Sequence, residues 1–170
     1  QTFVLDMNLC PFAKRPFQMD KIRYKVTVTD SPEELLQALM EELLWLQQTP
    51  AQTVETSLLI HPMALQRFEA YNEFLEITDA LLDDLELQGI FQIVSFHPHY
   101  QFADTTPDDV ENYTNRSPYP MLHILRESSV AQAVIHYPDV DAIPEKNITK
   151  LRALGIENIK SRLDELTRTH

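Results

Sequence analysis

Glycine is nearly missing from this chain: its 170 residues include two, Gly89 and Gly155. That excludes the glycine-rich phosphate loop, the dinucleotide fingerprint and the Gly-x-Ser-x-Gly nucleophile elbow, each of which needs glycines close together. Cysteine is scarcer still, and Cys10 alone forbids an intrachain disulfide. No apolar run approaches the roughly eighteen residues needed to span a bilayer. Positive charge is in deficit, with 14 Lys and Arg against 26 Asp and Glu, a formal charge of −12 and a pI near 4.8. Nucleic-acid binding rests on a basic surface that neutralises phosphates, so DNA and RNA are excluded as main partners. No charged-then-apolar leader follows Gln1, and the expected compartment is the cytoplasm, with no membrane partner. Three Asn-x-Ser/Thr matches, at Asn112, Asn115 and Asn147, are read as chance. The length suits one domain spanning 1–170.

From Ile22 to Val28, Ile22, Tyr24, Val26 and Val28 alternate with polar residues, the pattern of a half-exposed edge strand. Ser31, Pro32 and Glu34 then make a helix start, and Leu35, Leu39, Leu43 and Leu46 its buried stripe. Thr56 to Ile60 reads as a second strand, ending at His61-Pro62. A long helix carries Phe68, Tyr71, Leu75, Leu82 and Leu85 on one side and closes at Gly89. A third strand, Phe91 to Phe96, ends at His97-Pro98 in the same manner. Helices follow: one begun by Pro120, one after Ser128, one begun by Pro144 and stopped by Gly155, and a last one to about Arg168.

The order β-α-β-α-β predicts an α/β fold with a small, mostly parallel sheet and additional C-terminal helices. The alternative is a ferredoxin-like α+β sandwich, with Ala131 to Tyr137 as its least poor fourth strand. If the second and third strands are parallel neighbours, His61 and His97 leave the sheet at its carboxyl edge, where open α/β sheets bind ligands.

Polar chemistry gathers between Phe96 and Glu127, on backbone stiffened by Pro98, Pro107, Pro118 and Pro120. A helix begun at Pro118 or Pro120 would present free N–H groups beside Arg116, and His123, Arg126 and Glu127 would share its face. That is an anion cradle, with Asn115, Arg116, Ser117, Tyr119, Arg126 and His61 as ligand-binding candidates. His97 and His123 are the candidate proton carriers, and Cys10, at the end of a short first helix, is the candidate nucleophile. The competing reading is architectural: a buried apolar thiol, a capping Asn115 or Ser117, paired arginines and hydrogen-bonded histidines. Cys10, His61, His97 and His123 make a conceivable metal set, but with no short-range ligand spacing.

Asn-Leu-Cys-Pro-Phe-Ala at 8–13, His61-Pro62, Ser-Phe-His-Pro at 95–98 with Tyr100 and Phe102, Asn-Arg-Ser-Pro-Tyr-Pro at 115–120, Leu122-His123, Leu125-Arg126-Glu127, and Pro138-Asp139 to Pro144 and Asn147 together resemble the uncharacterised, mainly bacterial domain-of-unknown-function family 1415. The resemblance covers nearly the whole chain. It implies a cytosolic protein of this length and carries over no activity, cofactor or residue role.

Three functions follow from the residues. The first is a small-molecule enzyme or binding site for a phosphate- or carboxylate-bearing ligand, by hydrolysis or group transfer. The second is a non-catalytic interaction or assembly protein presenting Tyr100, Phe102, Tyr113 and Tyr119. The third is a metal-dependent enzyme. The residues leave the cofactor unknown.

Overall fold

The structure, a computed structural model, describes Val4, Leu5, residues 7–135, Tyr137 and residues 139–168. Pro138, part of the last motif above, lies outside them, as does His136 in the Ala131 to Tyr137 segment. Among the described residues six α-helices and one four-stranded mixed sheet form in the order α1 (Lys14–Gln18), β1 (Ile22–Val26), α2 (Pro32–Gln48), β2 (Thr56–Ile60), α3 (Phe68–Asp84), β3 (Phe91–Phe96), β4 (Met121–Arg126), α4 (Glu127–Ile135), α5 (Ile143–Leu154) and α6 (Ile156–Arg168).

The α/β class holds, but the mostly parallel sheet does not. Strand order is β1-β2-β4-β3; β1 and β2 pair in parallel, while β4 runs antiparallel to both its neighbours. The residues read as a helix from Pro120 are an interior strand, β4. Met121 to Arg126 is a short, nearly continuous apolar run, and such a run has no helical or strand period of its own; burial between two partners decides it. The fourth strand is therefore here, and Ala131 to Ile135 is helical as read. Since β2 and β3 both oppose β4, they point the same way without touching. His61 and His97 do share one edge of the sheet, with β4 between their strands.

Local chemistry explains most boundaries. The Ser31 hydroxyl accepts from the Glu34 N–H at 3.2 Å and Pro32 occupies the first turn of α2. Helix α3 stops at Asp84, before Gly89: Glu86 takes the left-handed conformation (φ 57°) and the Leu87 N–H bonds Leu82 O at 2.8 Å, a Schellman-type ending on a glutamate. Gly89, also at positive φ, serves the turn into β3 instead. Gly155 separates α5 from α6 as expected.

Because strand side chains alternate, the pairing register sorts residues into rows. On the inner face, Arg23-Ser57-Ile124-Ile93 and Lys25-Leu59-Leu122-Ser95 run across the sheet. Leu59, Leu122, Ile124 and Phe91 pack here with Leu35, Leu39, Leu43 and Leu46 of α2 and with Tyr71, Phe74 and Leu82 of α3. Each fully buried leucine contributes about 1.5–3 kcal/mol. A second, smaller cluster joins Leu9, Tyr113, Leu151 and Ile159.

The outer face carries three rows: Ile22-Thr56-Leu125-Gln92, Tyr24-Leu58-His123-Val94 and Val26-Ile60-Met121-Phe96. No charged residue lies among them. Strand β1 is an edge strand as expected, yet its apolar residues are on this side, with Tyr24 and Val26 53% and 57% exposed.

Candidate functional site

The carboxyl edge of the sheet is built from rings. His61 stacks on Tyr71 of α3 at 5.9 Å, Tyr71 lies 5.1 Å from His97, and Phe68 lies 5.4 Å from His97 and 5.3 Å from Tyr100. The Tyr71 hydroxyl donates to Met121 O (2.8 Å) and accepts from the Phe96 N–H (3.0 Å), joining the ends of β4 and β3. Both histidines are fully buried. They hold the segment leading into α3 at successive carbonyls. His61 Nδ1–H donates to Ala64 O at 3.2 Å and His97 Nε2–H to Leu65 O at 3.1 Å, while His97 Nδ1 accepts from the His99 N–H at 3.0 Å. The two imidazoles are therefore opposite neutral tautomers. Burial pushes His61 down to about 4 and lowers His97 as well. His61 Nε2 is buried with no hydrogen-bond partner among the described residues.

His123 lies elsewhere, in the middle row of the outer face. Thr56 Oγ1 gives its one proton to Ile124 O at 2.7 Å, so the 2.7 Å contact with His123 Nε2 is an N–H donated by the imidazole. Nδ1 is left as an acceptor. Burial holds this histidine neutral, down to about 4, with the Phe96 ring 6.1 Å away. Strand geometry separates it from Arg126: positions 121, 123 and 125 face outward, whereas Arg126, paired with Phe91, faces inward. The shared helical face for His123, Arg126 and Glu127 does not form.

Both arginines of the expected cradle are engaged by backbone. Arg126 donates to Leu46 O (2.7 Å), Thr49 O (2.5 Å) and Val54 O (3.3 and 3.4 Å), closing the end of α2 and the connection to β2. Arg116 donates to Tyr100 O (3.2 Å) and Pro107 O (2.6 Å) and lies 4.2 Å over the Tyr113 ring. Buried Asn112 accepts from the Phe102 N–H (2.9 Å) and donates to Thr106 O (2.7 Å). The long β3–β4 connection is thus stapled internally. Asn115 donates to Ser95 O, and Ser117 bonds Tyr119 O. Tyr119 and Phe102 are each 37% exposed and Tyr113 is buried. Cys10 lies between the Val4–Leu5 turn, where the Leu9 N–H bonds Val4 O, and α1; the short helix expected before it falls partly outside the described residues, and burial raises its thiol above the ordinary value against the opposing effect of the Phe12 and Ala13 amides. Among the described residues no three His, Cys, Asp or Glu side chains are grouped to hold a metal ion. Nor is any described helix long and apolar enough to cross a membrane.

One charged group escaped the sequence reading. Glu42 of α2 is 1% exposed, and its Oε1 accepts from Arg23 Nε at 2.7 Å and Ser57 Oγ at 2.6 Å. Lys25 Nζ is 3.6 Å from Oε2, and the Arg23 guanidinium lies 4.1 Å over Trp45. The signal was present: Glu42 follows Leu35 by seven residues and Leu39 by three, on the apolar stripe of the helix.

No curated protein and no solved structure matches this chain. Residues 1–161 match the model of the family described as "Protein of unknown function (DUF1415)", and the chain belongs to that family.

Proposed function

We propose that this protein is a non-catalytic docking module that holds another protein chain against the outer face of its sheet. One observation carries the reading: the three outer rows are uncharged, half-exposed for the most part, and among the described residues contribute to neither apolar core. A contiguous apolar surface of this kind marks an interaction site. Its shape, a sheet face, suits a protein rather than a small molecule, which needs a concave pocket. The charge of −12 is borne outside these rows, so the favoured partner has an apolar patch inside a basic surround. His123 Nδ1, in the middle row, offers an acceptor that fixes the partner's orientation. The anion-site reading has less support, because Arg116 and Arg126 already donate to carbonyls.

The test places a photo-crosslinking residue at Val94, with Glu73 on the exposed side of α3 as control, in living cells. A basic protein should be captured at Val94 and not at position 73. Its purified form should bind the wild type in calorimetry and lose about tenfold or more in affinity to Val94→Glu, since a buried unpaired charge is costly. Capture of a second copy would replace the partner with self-assembly. Equal capture at both positions would sink the reading.

A further inference from the structure

The apolar row of β1 is on the side its sequence pattern disfavours. Ile22, Tyr24, Val26 and Val28 alternate with Arg23, Lys25, Thr27 and Thr29, and burial alone would turn the first set toward α2. A strand's side chains have a period of two, so a slip of one residue against β2 would exchange the rows. The observed register, Arg23 opposite Ser57 and Lys25 opposite Leu59, keeps Tyr24, Val26 and Val28 53%, 57% and 80% exposed.

We propose that Glu42 is the positioning residue that locks this register. The carboxylate interrupts the leucine stripe of α2 and is buried against β1 and β2, where Arg23, Lys25 and Ser57 converge on it. In the slipped register Ser57 would be its remaining partner. Leaving a buried carboxylate without a cation costs more than Tyr24 and Val26 would recover by the partial burial an edge strand allows. The ion group therefore overrules the hydrophobic pattern and sends Tyr24 and Val26 outward. Glu41, 3.9 Å from Lys25, and Trp45, beneath Arg23, reinforce the same choice. The use of the exposed row for docking rests on the reading above, but the lock itself is a property of the isolated protein and is tested without a partner.

Tyr24 reports the register through its reactivity with tetranitromethane, with exposed Tyr119 as internal reference. Glu42→Gln retains an oxygen acceptor for Arg23 and Ser57 but loses the charge that holds Lys25, and its Tyr24 should nitrate at a rate between those of the wild type and Glu42→Leu. Glu42→Leu should protect Tyr24 by roughly fivefold or more while Tyr119 is unchanged, as the slip carries Tyr24 inward. A folded Glu42→Leu protein with wild-type Tyr24 reactivity overturns the lock. Should that variant fail to fold, the triple change Arg23→Val, Lys25→Val and Glu42→Leu replaces the whole ion group with apolar side chains, a substitution that buried ion groups commonly tolerate. Two sets of β1 amide resonances, one per register, are then expected. A single set with position 23 opposite Ser57 would show that loops, not Glu42, dictate the register. Loss of partner binding with an intact lock would count against the docking reading alone.

Discussion

Leu58 and Leu59 are adjacent on one strand and belong to different environments. Leu59 is sealed beneath α2 and α3, whereas Leu58 lies half-exposed between Tyr24 and His123. The inner face mixes leucines with a buried carboxylate and two cations. The outer face is uncharged. The contrast teaches that residue type did not assign the faces: helices covered one side, and an ion group then fixed which row of the edge strand went beneath them.

The sharpest test of that contrast is a pair of truncations followed by denaturant unfolding. Leu59→Ala should lose about 2–5 kcal/mol through lost burial and a residual cavity, and Leu58→Ala about 1 kcal/mol or less. Equal losses would mean that the outer face is a second core.

Next in size is the response to acid. His61 belongs to the ring cluster at the sheet edge and His123 to the outer face, yet burial holds both at about 4. Their unfolded counterparts titrate near 6.5, so between about 6.5 and 4 the unfolded chain binds more protons. The stability these groups contribute is complete above that window, falls as pH drops through it and levels off below. The ceiling is about 3 kcal/mol for each histidine. His61→Gln and His123→Gln should each flatten part of the slope in thermal melts, and an unchanged slope in the double variant would refute the neutral buried assignment.

The smallest effect concerns the inward arginine. Arg126→Ala removes a donor from the carbonyls of Thr49 and Val54 and leaves Leu46 O with the Thr49 N–H alone, and should cost about 2 kcal/mol, with amide exchange quickening at the end of α2 before elsewhere. A loss spread evenly over the sheet would argue that Arg126 acts as packing rather than as a cap.

Much of the fold was legible because local chemistry agreed with tertiary demand. Ser31, Pro32 and Glu34 start α2, the leucine stripe buries it, and the His-Pro pairs end β2 and β3. Strand β4 was not legible: Pro120 and the spacing of His123, Arg126 and Glu127 imitate a helix, and only two antiparallel partners, unknown to the local sequence, make those residues extended. The site suffered from the same error. A cradle built on helical spacing dissolves when alternate residues face opposite sides. Arg116 and Arg126 looked like anion ligands because an arginine's partners, here backbone carbonyls up to 80 residues away, leave no trace in its neighbours.

The strand order has a consequence in time. The last of the four strands to be synthesised is the one that belongs between β2 and β3. Until Met121 to Arg126 emerge from the ribosome, β2 and β3 each present an unpaired edge. The roughly 25 residues separating Phe96 from Met121 take on the order of one to five seconds to add at about 5–20 residues per second. During that interval the nascent chain can form the β1-β2 pair but leaves β3 a lone strand, a state open to mispairing and to chaperone capture, and the insertion of β4 closes the facing borders of β2 and β3 at once.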